Sequence, residues 1–136
     1  NGLQGLGIQP NDRIAIFLHN GNEYIENFAV GSLIGDMNWH MNRDELLEIF
    51  ARMKPVVLIF EQEFAETFEW LRERIASLRH FILVGDEALD GTILYEDLIR
   101  KSRGVIPEGT NFVMSFSFFT GGTTGTPKHV DMGVRV

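Results

Sequence analysis

Cysteine is absent from the 136 residues, which excludes disulfide frameworks and thiolate zinc sites and agrees with a reducing compartment. Histidine is scarce: His19, His40, His80 and His129 are too scattered along the chain to spell a metal-binding motif. Basic residues are outnumbered, 12 Lys and Arg against 19 Asp and Glu, giving a net charge of -7. They gather nowhere, since Arg72, Arg74 and Arg79 are interleaved with Glu69 and Glu73. Such a surface repels a phosphate backbone, so nucleic acid is not an expected partner. No apolar run approaches the roughly 18 residues of a membrane span. The opening Asn-Gly-Leu-Gln-Gly-Leu-Gly has neither the basic nor the apolar region of a signal peptide. These absences leave a globular protein, expected in the cytoplasm. The first residue is Asn and not Met, so a piece of a longer chain is expected.

What is present suits one domain with a real core. A compact fold of this length buries roughly two-thirds of the surface its unfolded chain exposes. "RIAIFL", Arg13 to Leu18, is an apolar run between the turn signals Pro10-Asn11-Asp12 and His19-Asn20-Gly21, which predicts a buried strand. From Asn22 the apolar residues Tyr24, Ile25, Phe28, Ala29 and Leu33 recur at helical spacing, with Gly35 as the expected stop. Asn42 and Glu45 form a capping-box pair ahead of Leu46, Ile49, Phe50 and Met53, and Pro55 ends that helix.

"VVLIF", Val56 to Phe60, reads as a strand covered on both faces. Phe64, Phe68, Leu71, Ile75 and Leu78 form a helical stripe facing the core, with Glu61, Glu63, Glu66, Glu69 and Glu73 mostly opposite it and expected in water. "FILV", Phe81 to Val84, is a further strand, Leu94 to Lys101 a short helix, and "FVMSFSF", Phe112 to Phe118, a last strand. Strand and helix alternate. The fold class is therefore α/β, a mostly parallel sheet with helices on both faces, with ligands expected at the carboxyl ends of the strands.

That last strand runs into "TGGTTGTPK", Thr120 to Lys128. Gly121, Gly122 and Gly125 let a ligand approach the main chain so that several N–H groups can converge on an anion. Thr120, Thr123, Thr124 and Thr126 add hydroxyl donors, and Lys128 adds a mobile positive charge. The combination suits a polyphosphate. It is neither the G-x-x-x-x-G-K-[ST] phosphate loop, since His129 follows Lys128, nor the dinucleotide G-x-G-x-x-G fingerprint. A polar turn between two strands is the competing structural reading.

The nine residues resemble the phosphate-binding signature of the adenylate-forming superfamily, which includes AMP-forming acyl-CoA synthetases, luciferases and the adenylation domains of peptide synthetases. "GLGIQPNDRIAIFLHNGNEYIENFAVGSLIG" and "NWHMNRDELLEIF" are similar to the segments that precede this loop in the family. The resemblance implies a partial N-terminal, ATP-binding domain over residues 1–136, ending just after the loop, with the rest of that domain and the C-terminal domain outside the sequence. It also implies a parent enzyme that activates a small carboxylic acid with ATP and Mg2+ to an acyl-adenylate and passes the acyl group to coenzyme A. Thr120, Gly121, Gly122, Thr123, Thr124, Gly125 and Lys128 would hold the β and γ phosphates. A homodimer is one assembly it allows.

The family's aromatic-Gly-x-Thr-Glu segment, its ribose-binding Asp, its hinge and its C-terminal lysine have no counterpart here, so the chain alone is expected to be inactive. Two departures stand out. His129 replaces the usual Gly, which predicts an altered exit from the loop. Gly35-Asp36-Met37-Asn38 is shorter than its family counterpart, which predicts a missing strand. The alternative from another class is a non-catalytic nucleotide-binding or regulatory α/β module that keeps only the phosphate loop.

Overall fold

The computed structural model describes residues 2–9, 11–28, 33–38, 40–102, 113–120 and 128–135. Among the described residues seven strands form one sheet: β1 (Arg13–Phe17), β2 (Leu33–Asp36), β3 (Val57–Glu61), β4 (His80–Val84), β5 (Ile93–Leu94), β6 (Val113–Thr120) and β7 (Lys128–Arg135). Their order is β5-β4-β3-β1-β2-β6-β7. Every pairing is parallel except β6 with β7, which is antiparallel. The α-helices are α1 (Gly2–Gly5), α2 (Asn22–Phe28), α3 (Arg43–Met53), α4 (Ala65–Arg72) and α5 (Tyr95–Lys101).

The alternation of side chains along each strand divides the core in two. Ala15 and Phe17 of β1, Leu58 and Phe60 of β3, and Phe81 and Leu83 of β4 share one cluster with Leu46, Ile49, Phe50 and Met53 of α3 and Phe68 and Leu71 of α4. Ile14, Ile16, Val57, Ile59 and Ile82 belong to the other, against Leu3 of α1, Tyr24 of α2 and Tyr95 and Leu98 of α5. Strands covered on both sides must be apolar at every position, which is why "RIAIF" and "VLIFE" read as near-continuous runs. In the first cluster Phe68 meets Phe17 at 4.9 Å and Phe60 at 5.1 Å between ring centroids.

The capping box forms as its sequence predicts. Glu45 N–H donates to Asn42 Oδ1 at 3.0 Å and Asn42 N–H to Glu45 Oε2 at 2.9 Å. At the other end Lys54 takes the left-handed conformation (φ 50°, ψ 54°) and donates its N–H to Phe50 O. Pro55 follows at once, and a proline disfavours helical backbone in the residue before it.

Three expectations are corrected. The helix from Asn22 stops at Phe28, and Leu33 to Gly35 lie in β2, paired in parallel with β1 from Arg13↔Leu33 to Ile16↔Asp36. β2 is thus built from residues assigned to a helix and its stop. Ile25, expected on the inner face of that helix, is 67% exposed, because Tyr24 and the 3%-exposed Asn27 occupy the buried side. The Phe64-to-Leu78 stripe is core, as expected, but α4 covers only Ala65–Arg72. Ile75 reaches the core from a turn, its N–H bonded to Leu71 O at 2.9 Å. The predicted residue Phe112 lies outside the described residues.

Candidate functional site

The parallel strands deliver their following loops to one edge of the sheet. There β1 leads toward α2, which packs on the Ile14 and Ile16 face, whereas β3 leads toward α4, on the Phe17 and Phe60 face. Connections that diverge to opposite faces leave a crevice between the carboxyl ends of the two strands, the place where open α/β sheets bind ligands. β6 ends on the same edge, registered with β2 through Ile34↔Phe116 and Gly35↔Ser117.

Of the residues expected to bind phosphate, Thr120 and Lys128 lie within the described chain. They are partners across the hairpin, Thr120↔Lys128 being the pair at which β6 and β7 stop. Gly121, Gly122, Thr123, Thr124 and Gly125 lie between them, outside the described residues. The strand pair therefore brings the two ends of the loop together at the carboxyl end of β6. His129 sits in β7 opposite Phe119, in extended backbone, where a glycine's left-handed freedom has no use. Trp39 also lies outside the described residues, and His40 is exposed, its N–H bonded to Asn38 Oδ1 at 3.0 Å.

At the carboxyl ends of β1 and β3 the structure assembles a group that sequence spacing did not reveal. His19 Nδ1 lies 2.6 Å from Glu61 Oε2 and 3.2 Å from Glu63 Oε1. The His19 backbone N–H donates to the other oxygen of Glu61 at 2.9 Å. The imidazole stacks on Phe64, with centroids 5.4 Å apart and planes 28° from parallel. Hydrogen bonding to Glu61 raises the His19 pKa above its usual 6.5; partial burial opposes this, and the charges of Glu61 and Glu63 add to the rise. Glu61, expected in water, is only 25% exposed at its side chain. The scattered histidines thus conceal one His-Glu-Glu cluster, made by neighbouring parallel strands whose last core residues, Phe17 and Phe60, are in register. The sequence signal available for it was a ligating side chain just past each of two apolar strand runs.

The sequence matches the AMP-binding enzyme family over residues 1–135. The chain belongs to that family. Among relatives of this AMP-binding segment, the long-chain-fatty-acid–CoA ligase of Thermus thermophilus is 26% identical over 135 residues, 95% of this chain and 24% of the relative. The 3-methylmercaptopropionyl-CoA ligase of Ruegeria lacuscaerulensis is 29% identical over 143 residues, 94% of this chain and 26% of the relative. The chain thus spans about a quarter of the length of these relatives. The fold is that of the N-terminal domain of adenylate-forming enzymes: the anthranilate CoA ligase AuaEII, solved with anthranoyl-AMP, superimposes with a TM-score of 0.84 at 23% identity, over 98% of this chain and 27% of the other. The acetoacetyl-CoA synthetase of Streptomyces lividans does so with a TM-score of 0.80 at 25% identity, over 96% and 23%. Among the described residues no helix is long and apolar enough to cross a membrane.

Proposed function

We propose that these 136 residues are the opening part of the ATP-binding domain of an AMP-forming acid–thiol ligase, which joins a carboxylic acid to ATP and transfers the acyl group to coenzyme A. The observation that carries this reading is the coincidence of the Thr120-to-Lys128 motif with the carboxyl end of a parallel strand in a chain of the AMP-binding family. The donor set fits a polyphosphate: main-chain N–H groups made approachable by Gly121, Gly122 and Gly125, hydroxyls of Thr120, Thr123 and Thr124, and the ammonium of Lys128. Mg2+ bound with ATP would neutralise part of the phosphate charge. The chain's own contribution is to hold the β and γ phosphates while pyrophosphate leaves, and donors aimed at a departing polyanion lower the barrier to its departure. Coenzyme A as the acceptor is supported by the names of the relatives, and a cytoplasmic location accompanies this reading.

The test is ATP–pyrophosphate exchange by the full-length protein with a panel of carboxylic acids, comparing wild type with Lys128→Ala and Gly122→Ala. Loss of the Lys128 donor to the leaving group is expected to slow exchange by about 100-fold, and the β-carbon added at Gly122 to slow it by hindering approach of the phosphates to the main chain. Unchanged exchange in both variants would reduce the motif to a turn. ATP binding without exchange for any acid would favour the non-catalytic nucleotide-binding module. The isolated 136 residues are expected to give no exchange, since the expected adenine-, ribose- and magnesium-binding segments are not among them.

A further inference from the structure

We propose that His19, Glu61 and Glu63 form a binding site for a divalent cation of the zinc class, in the crevice between the carboxyl ends of β1 and β3. The three donors converge at the carboxyl ends of two neighbouring strands, His19 just after β1, Glu61 as the last residue of β3 and Glu63 in the short 3-10 turn that follows it: their ligand atoms, one imidazole nitrogen and two carboxylate oxygens, all lie within 4.8 Å of one another. Ligand bonds of about 2.1 Å and tetrahedral angles put neighbouring donor atoms about 3.4 Å apart. The 3.2 Å from His19 Nδ1 to Glu63 Oε1 already matches that spacing. The 2.6 Å from Nδ1 to Glu61 Oε2 has to open by under about 1 Å, a movement within reach of side-chain rotation. In the metal-free protein a proton bridges that shorter gap, and the cation takes its place.

The surroundings hold the donors ready. Glu61 Oε1 is fixed by the backbone N–H of His19, which leaves Oε2 aimed at the shared centre. The imidazole plane is set by its stack on Phe64. Carboxylates held in this way by a second hydrogen bond, and rings held by packing, lose less freedom when they ligate. Glu63 is 60% exposed at its side chain, so the site opens to solvent and keeps a coordination position for water or an exogenous ligand. Nitrogen ligation disfavours Mg2+ and Ca2+, which take oxygen donors, and two carboxylates with one imidazole suit Zn2+ or Co2+. The crevice lies where strand connections diverge, the position at which this class of sheet binds ligands, and β2 separates it from the strand that carries the phosphate motif.

The experiment is titration of the purified, chelator-treated full chain with ZnCl2 by calorimetry, and with CoCl2 by visible absorption, for wild type, His19→Gln, Glu63→Gln and His40→Gln. Wild type is expected to take up one equivalent, with a tetrahedral cobalt spectrum. His19→Gln is expected to abolish this uptake and Glu63→Gln to weaken it by at least about tenfold, since loss of a ligand exceeds the cost of losing an outer partner. His40→Gln should match wild type, and MgCl2 should give no heat. Equal zinc affinity in wild type and Glu63→Gln, or no uptake by wild type at millimolar zinc, overturns the proposal. Because Glu63 is exposed, its variant decides the matter even where His19→Gln fails to fold.

Discussion

Gly91→Ala tests how the segment after β4 is fastened to α4. Gly91 has φ +73°, and a β-carbon there would stand 2.6 Å from Arg72 Nη2 and 2.8 Å from Nη1. Left-handed backbone costs a non-glycine residue roughly 1–2 kcal/mol, of which about 0.4–1 kcal/mol returns through the stiffer unfolded chain. The guanidinium can swing aside, so the clash itself is cheap. What is lost is what the guanidinium does where it is: Arg72 Nη1 donates to Asp90 O at 3.1 Å, and the group lies 5.5 Å from the Phe81 ring centroid. At an exposed site these two contacts contribute about 1 kcal/mol together. The expected loss is about 2 kcal/mol, a fall in Tm of about 6 °C for a chain of this size, read by urea unfolding with an unchanged m value. In an Arg72→Ala background the same substitution should cost only the backbone part, about 1 kcal/mol or less. An equal cost in both backgrounds would refute the role given to Arg72.

At the α3 amino terminus, Asn42→Ala removes the acceptor for Glu45 N–H and should destabilise by about 1 kcal/mol, measured by chemical denaturation. Lys54→Gly at the other end relieves the left-handed strain (φ 50°) and should stabilise by about 0.5 kcal/mol, strain relief exceeding the entropy glycine adds to the unfolded chain. The raised His19 pKa means that the folded protein binds its proton more tightly than the unfolded chain does. Its contribution is full below the unfolded value of 6.5 and is lost as pH rises through the higher folded value. In chelator, stability relative to His19→Gln should therefore fall as pH rises upward from 6.5; a flat difference, from denaturation at several pH values, would contradict the pairing with Glu61.

Where a local pattern and the tertiary fold agree, the sequence was enough. The β1, β3 and β4 runs are apolar throughout because both faces are covered, and the Asn42 and Glu45 pair caps the helix it precedes. β2 was missed because a short strand of Leu33 to Asp36, with a glycine in it, carries too few residues to override the preceding helical spacing. Its assignment comes from pairing with β1, a non-local fact. Ile25 misled for a related reason: the helical period is satisfied by Tyr24 and Ile25 together, but only Tyr24 has a neighbour in the core. His19 and Glu61, 42 residues apart, meet only because parallel strands align their ends. The phosphate motif was legible as chemistry, since glycine, threonine and lysine need no fold to suggest an anion.

The sheet also decides whether the two proposed sites act on one another. β2 lies between β1, which His19 closely follows, and β6, which ends at Thr120, so two strand spacings, about 10 Å, separate their backbones. Exchange of an imidazolium proton for Zn2+ alters the charge of the His19 cluster by one unit. Against the two net charges of a magnesium-bound ATP at about 10 Å, that unit is worth about 0.8 kcal/mol in water and about 0.3 kcal/mol at 0.1 M salt. One equivalent of zinc should thus raise the melting temperature of the full-length protein while changing its KM for ATP in pyrophosphate exchange by less than about twofold. A tenfold change would place the cation against the phosphates and make the two sites one. If His19→Gln abolished the stabilisation but left exchange untouched, the crevice between β1 and β3 would stand as a separate fastening of the strand ends, next to a loop whose chemistry it does not share.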